Sequence, residues 1–112
     1  MVESYLTDYL NKVNSNNSDI NEFSLSQNYP NPFNPVTKIK FDIPSIVNRQ
    51  SSIVNLKVYD ALGREVSALV NEKLSPGSYE VEFNGNNFAS GSYFYKLEAG
   101  KFSEVRRMIL LK

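Results

Sequence analysis

The stretch Val54-Asn55-Leu56-Lys57-Val58-Tyr59-Asp60-Ala61-Leu62-Gly63-Arg64 decides the fold. Val54, Leu56 and Val58 alternate with Asn55, Lys57 and Tyr59, the period of a strand with one face in a core and the other in solvent. The strand runs into Asp60-Ala61-Leu62-Gly63, a tight-turn sequence in which the Asp side chain caps the bend and Gly takes the positive φ needed to leave it. Arg64 to Val70 is therefore expected to return as the hairpin partner.

The same alternation recurs on both sides. Ile39, Phe41 and Ile43 oppose Lys38, Lys40 and Asp42 until Pro44 stops the run. Tyr79, Val81 and Phe83 oppose Glu80 and Glu82, and Tyr93, Tyr95 and Leu97 oppose Phe94, Lys96 and Glu98. Gly100-Lys101 then turns the chain into a last strand, Phe102 to Leu111. About six or seven short strands separated by regular turn signals predict an all-β, antiparallel sandwich. Pro30, Pro32, Pro35 and Pro44 flank the first strong strand. Because proline cannot donate to a ladder, residues 28–35 (NYPNPFNP) read as an ordered, extended edge or lead-in loop, with Tyr29 and Phe33 folding over one end of the sandwich.

Pro76-Gly77-Ser78-Tyr79 and Ser90-Gly91-Ser92-Tyr93 each open a strand. Gly supplies the turn, Ser bonds the local backbone, and Tyr buries its ring while its hydroxyl reaches a backbone acceptor, as in the tyrosine corner of immunoglobulin-like folds. Two copies read as turn chemistry, since repeat arrays need three or more units.

The first 22 residues differ. Val2, Leu6, Tyr9 and Val13 fall on one helical face, predicting a short helix over 3–13 that is marginal alone. The polar run over 14–21 reads as a linker, so the domain proper is expected at 23–112. Glu3, Asp8, Asp19 and Glu22 against Lys12 make this lead acidic, by about −3, and leave the domain about +3, with the excess in its last strand.

Composition limits the chemistry. At 112 residues, with 41% apolar and 21% charged side chains, the chain is one globular domain. A net charge of zero argues against general nucleic-acid binding or a polybasic anchor, and no apolar run is long enough for direct membrane insertion. There is no His and no Cys, which excludes zinc fingers, Ser-His-Asp triads, Cys-His nucleophiles and disulfides in their usual forms. No enzyme activity, metal or cofactor is expected. Residues 1–10 (MVESYLTDYL) lack the basic and apolar regions of a signal peptide, so export would depend on sequence upstream. Glu80 and Glu82 read as a solvated sheet face, and the dispersed glycines form no phosphate cradle. Arg106-Arg107, with Lys101 and Lys112, is the one basic cluster. Neighbours on a strand point to opposite faces, so one arginine should be solvated and the other must snorkel or find an acidic partner. The cluster reads either as charge that protects an edge strand or as a docking signal.

Taken together, Asn28-Tyr29-Pro30-Asn31-Pro32-Phe33-Asn34-Pro35, Ile39 to Pro44, Leu56 to Val66, Leu74 to Val81, Ala89 to Leu97 and Arg107-Met108-Ile109-Leu110-Leu111-Lys112 resemble the C-terminal sorting domain of type IX secretion cargo, type A. The resemblance runs over about 23–112 and implies a seven-stranded immunoglobulin-like sandwich that serves as an address for a larger exported protein. It implies that an upstream cargo domain passes through the periplasm, that the outer-membrane translocon recognises the sorting domain, and that a sortase cuts in the linker to leave the cargo at the cell surface or secreted. Gly77, Tyr79, Gly91 and Tyr93 match the family's Gly-x-Tyr strand openings, and Arg107 to Lys112 match its basic-apolar-basic ending. Arg106-Arg107 stand where Lys is frequent, which keeps the charge but changes its hydrogen-bond geometry. Together with Lys96 and Arg106, these residues make the expected recognition set: Gly77, Tyr79, Gly91, Tyr93, Lys96, Arg106, Arg107 and Lys112. The last strand, with its backbone unpaired on one side, is expected to be a template for β-augmentation by a receptor or for an edge-strand dimer. Residues 56–66 and 90–100 also resemble the immunoglobulin-like domain of the flagellar hook-capping protein, a structural assembly module, and the NYPNPFNP segment favours sorting. A plain adhesive or carbohydrate-binding sandwich would need an exposed aromatic platform, which the sequence does not reveal.

Overall fold

A computed structural model describes residues 20–45 and 52–112. The helix expected over 3–13, and most of the linker after it, lie outside these residues. Seven strands follow in order: β1 (Ser24–Leu25), β2 (Val36–Ile43), β3 (Ser52–Tyr59), β4 (Glu65–Leu74), β5 (Gly77–Asn84), β6 (Gly91–Ala99) and β7 (Phe102–Leu110). They form two antiparallel sheets, β1-β2-β5 and β4-β3-β6-β7, packed as a sandwich.

Strand parity sets which side chains enter the core. In β2, Thr37, Ile39, Phe41 and Ile43 are buried while Lys38 and Lys40 are exposed. Across the ladder Lys38 faces Glu82 and Lys40 faces Glu80, so the outer face of this sheet alternates in charge and is solvated as the sequence suggests. Val54, Leu56 and Val58 of β3 are buried against Tyr95, Leu97, Met108 and Leu110 in one core. The β3–β4 turn is built as read: the Asp60 carboxylate accepts from the Leu62 and Arg64 amides at 2.9 Å each, and Gly63 has φ 86°. The Arg64 amide heads the causes that hold the Asp60 carboxyl below its ordinary pKa. β4 is an edge strand with two register shifts against β3, and such bulges twist an edge away from further pairing.

The strand order is that of an immunoglobulin-like Greek key, with the fourth strand retained beside the third instead of crossing to the other sheet as in constant-type domains.

The lead-in loop divides its two aromatics. Phe33 is buried, edge-on to Phe83 at 5.9 Å, and closes the end of the core as expected. Tyr29 does not; it is 81% exposed. Tyr29 exchanges both backbone hydrogen bonds with Lys38 at 3.0 Å, and directly opposed residues of an antiparallel pair point to the same side. Lys38 points outward, so Tyr29 does too. Asn28 takes the inward position instead, donating to Thr37 Oγ1 at 3.0 Å and to the Pro30 carbonyl at 3.1 Å. The Tyr29–Pro30, Asn31–Pro32 and Asn34–Pro35 bonds are cis.

Candidate functional site: the C-terminal strand and its surround

β7 lies at the edge of the four-stranded sheet with β6 as its one strand neighbour. Its outward backbone groups belong to the odd-numbered residues, since the Ile109 carbonyl and the Leu111 amide both face away from β6. The sequence reading leaves this edge unpaired, and the structure corrects that for its C-terminal half. Phe33 N–H donates to the Ile109 carbonyl at 2.9 Å, and Leu111 N–H donates to the Phe33 carbonyl at 3.0 Å. The Asn31 side-chain oxygen accepts from Ile109 N–H at 3.0 Å, and Gln27 Nε2 donates to the Arg107 carbonyl at 2.7 Å. Prolines keep the loop extended, which lets Phe33, an inward residue, add a parallel bridge to Leu110. Beyond this clasp, the Lys112 amide donates to Ser90 Oγ at 2.9 Å and its ammonium to the Asn86 carbonyl at 2.7 Å. The half of the edge at Ser103 and Val105, with the Arg107 amide, presents outward backbone groups for which the described residues supply no partner.

The two arginines part as the parity rule requires. Arg106 lies on the core side, where its Nε donates to the Leu25 carbonyl at 2.6 Å and its Nη2 meets Glu104 at 3.1 Å. It sits opposite Tyr95 in register, and the buried Tyr95 hydroxyl donates to the Ser26 carbonyl at 2.7 Å. Burial pushes the Tyr95 phenol up to about 12. Arg106 and Tyr95 thus tie the short strand β1 to the opposite sheet. Arg107 is exposed on the outer face and makes no ion pair among the described residues.

Each of the two Gly-x-Tyr openings is a closed corner. The Tyr79 hydroxyl donates to the Ser75 carbonyl and the Tyr93 hydroxyl to the Ala89 carbonyl, both at 2.6 Å and both four residues back. Gly77 and Gly91 have φ 152° and 154°, values that side-chain-bearing residues rarely adopt. The corners lie at opposite ends of the sandwich: Gly77 pairs with Ile43, whereas Gly91 pairs with Leu110 at the clasped end. The structure therefore brings Gly91, Tyr93 and Lys112 together, places Lys96 and Arg107 on the outer face of the same sheet, turns Arg106 inward, and sets Gly77 and Tyr79 apart.

The residues that sequence reasoning missed are Gln27 and Asn31, whose side chains bond β7, and Asn28, which accepts from Gln27 and ties the loop to Thr37 and Pro30. Their signal was the density of Asn among the prolines. It also missed an aromatic pair: Tyr59 and Phe94 oppose one another in register on the outer face of the four-stranded sheet. Both residues are half-buried, and two strands that only the fold brings together set them side by side.

The family described as secretion system C-terminal sorting domain matches residues 27–111. The chain belongs to this family, the type IX secretion C-terminal sorting domains. No curated protein matches it. The matched range of this sorting domain runs from Gln27, which touches the Arg107 carbonyl, to Leu111, which bonds Phe33, so it begins and ends on the clasp. Sorting domains are a signal family and not an enzyme family; a protein that carries one is exported and passes to the cell surface.

Proposed function

We propose that this sorting domain delivers an upstream cargo in the same polypeptide from the periplasm to the type IX outer-membrane translocon, and that a sortase then separates the two by cutting in the linker within about residues 14–23. The observation that carries the reading is the clasped C-terminal strand. It fixes the basic ending on a preformed surface, with Arg107 and Lys112 at one end of β7 and an open backbone edge at Ser103 and Val105 at the other. Within the expected recognition set, Lys96, Arg107 and Lys112 are the groups a receptor reads, and a receptor strand adds at Ser103–Val105 by β-augmentation. Gly77, Tyr79, Gly91, Tyr93 and Arg106 hold that surface in shape. An edge-strand dimer would use the same open half of β7.

The test is a fluorescent reporter with an export signal, fused ahead of residues 1–112 in a bacterium with a type IX system. Reporter on the cell surface or in the medium is the expected result. Reporter retained in the periplasm, with the domain folded, would overturn the proposal.

A further inference from the structure

The two sheets of the sandwich are unequal, and the place of the missing strand is defined. In constant-type immunoglobulin domains the fourth strand lies beside the fifth; here β4 stays beside β3, so β5 ends the three-stranded sheet without a neighbour on its outer side. Arg106 and Phe102 of β7 meet Leu25 and Phe23, so β1 and β7 flank one side of the sandwich and the edges on the other side are β4 and β5. β5 pairs with β2 along all eight of its residues with no register shift, in contrast to the bulged β4. Lys38 and Lys40 bond toward Tyr29 and Ser26, so Thr37, Ile39 and Phe41 bond toward β5, and the backbone groups of Ser78, Glu80 and Glu82 face outward. The described residues supply no partner for these backbone groups. The core is thinly covered along the same line. Ile39 and Phe41 are 0% and 1% exposed, whereas Val81 and Tyr79, directly opposite them, are only half-buried, as are Val66 and Leu69 of β4. Glu72 lies opposite Val54, on the inner side of β4, and is exposed there.

We infer that the β5 edge is a docking site for an extended segment of a partner protein, with basic and apolar residues in alternation, which adds beside β5 as the missing strand of its sheet. Backbone pairing supplies the attachment, since Ser78, Glu80 and Glu82 each offer an outward donor and acceptor. The apolar side chains of the segment cover the half-buried Tyr79 and Val81. Charge selects the occupant. A strand beside β5 sets its residues directly opposite Glu80 and Glu82, and neither carboxylate makes an ion pair among the described residues. Lys40 and Lys38 oppose them from the β2 side, so the face as a whole is balanced, but the row nearest an added strand is anionic. Cations there extend the alternation across the sheet, from Lys38 to Glu82 to cation and from Lys40 to Glu80 to cation. Glu72 adds a third carboxylate on the β4 side of the gap, also without an ion pair among the described residues. A second copy of the chain suits this edge poorly. Antiparallel pairing of two β5 edges sets Glu80 opposite Glu80 in the register that uses all three outward residues, and Glu80 opposite Glu82 one step along, and like charges directly opposite repel. β5 and the open half of β7 are edges of different sheets, on opposite sides of the sandwich, so this inference stands apart from the sorting proposal.

The probe is a blocked heptapeptide of alternating lysine and valine, added to the isotope-enriched 112-residue protein and followed by amide hydrogen exchange in NMR spectra. It should slow exchange at Ser78, Glu80 and Glu82 by at least about tenfold and leave Ser103 and Val105 unchanged. Glu80→Lys with Glu82→Lys should weaken binding by at least about tenfold and admit the corresponding glutamate and valine peptide instead. Methylating the lysine amide nitrogens of the peptide keeps its charge and leaves the protein untouched; it should abolish binding, because those amides are the donors that face β5. Undiminished binding of the methylated peptide would overturn the inference, as would protection at Ser103 and Val105 instead, or no protection at about 1 mM peptide. Protection of Ser78, Glu80 and Glu82 that grows with protein concentration in the absence of peptide would mean that a second copy occupies the edge, which also overturns it.

Discussion

Adjacent arginines with the same charge should behave as different kinds of residue. Arg106→Ala removes a charged hydrogen bond of 2.6 Å to the Leu25 carbonyl, a group inside a residue that is 2% exposed, and a partly exposed ion pair with Glu104. A hydrogen bond from a charged donor contributes about 1.5–3 kcal/mol, and an ion pair as exposed as this one adds about 0.2–1 kcal/mol before any loss of packing by the arginine stem. The expected destabilisation is therefore about 2–3 kcal/mol, which at roughly 4–8 °C per kcal/mol for a domain of this size lowers Tm by about 10–20 °C. Arg107→Ala removes a solvated side chain and should stay within about 0.5 kcal/mol of the parent. Arg106→Lys should fall between, because one ammonium cannot serve the Leu25 carbonyl and Glu104 with the geometry of a guanidinium. Urea unfolding followed by far-UV circular dichroism and tyrosine emission measures all three, and the reporter fusion measures delivery in parallel. The expected pattern is a split: Arg107→Ala loses delivery at unchanged stability, while delivery by Arg106→Ala tracks its stability. Arg106→Ala within about 0.5 kcal/mol of the parent, or Arg107→Ala as damaging as Arg106→Ala, would refute the assignment of the two side chains to opposite faces.

The two tyrosine corners should each contribute about 1 kcal/mol, read as the urea-midpoint loss in Tyr79→Phe and Tyr93→Phe. Lying at opposite ends of the sandwich, they should add within about 0.5 kcal/mol in the double variant. Gly91→Ala should cost about 1–3 kcal/mol although no atom obstructs the added methyl, because φ 154° is strained for alanine; crystallographic or NMR dihedrals of the variant would show the backbone shift. Tyr95 governs an alkaline transition. Its phenol titrates near 10 when unfolded and about 12 when folded, so its contribution is complete below pH about 10 and is lost as pH rises through about 12. Tyr95→Phe should accordingly lose less of its urea midpoint between pH 9 and 11.5 than the parent does. Deleting residues 108–112 should abolish the cooperative urea transition, because it removes Met108 and Leu110, both 0% exposed.

The parts of this fold that were legible in the sequence are those written at short range. Period-two alternation assigned the inward side chains of β2, β3 and β6, since parity within a strand needs no knowledge of its partners. The Asp60 turn and the two tyrosine hydroxyl bonds were legible for the same reason, each closing within four residues. Tyr29 was misplaced because its direction follows from the residue opposite it, Lys38, and a proline-rich run carries no alternation of its own. The clasp on β7 joins Phe33 to Ile109, and no local pattern reports that pairing. Which arginine turns inward was available and unused: Met108 and Leu110 fix the parity of β7, and counting back two residues reaches Arg106.

The strand that carries the sorting motif is also core, and this limits how it can be recognised. Drawing residues 108–112 out as an extended peptide would expose Met108 and Leu110, each worth about 1.5–3 kcal/mol of buried apolar surface, and would break the Phe33, Asn31 and Ser90 bonds that hold the end in place. A domain of about this length has only about 5–15 kcal/mol of total stability, so reading the ending as a free peptide amounts to unfolding the sandwich. A receptor that accepts the folded domain is left with what the fold already presents: the Lys96 and Lys112 ammonium groups, the Arg107 guanidinium and the open backbone at Ser103 and Val105. The apolar residues of the motif then act by holding those groups in register, and a truncation that blocks delivery speaks first to folding. Substitution of the exposed groups alone, in a domain that still unfolds cooperatively, is what separates the address from the scaffold that displays it.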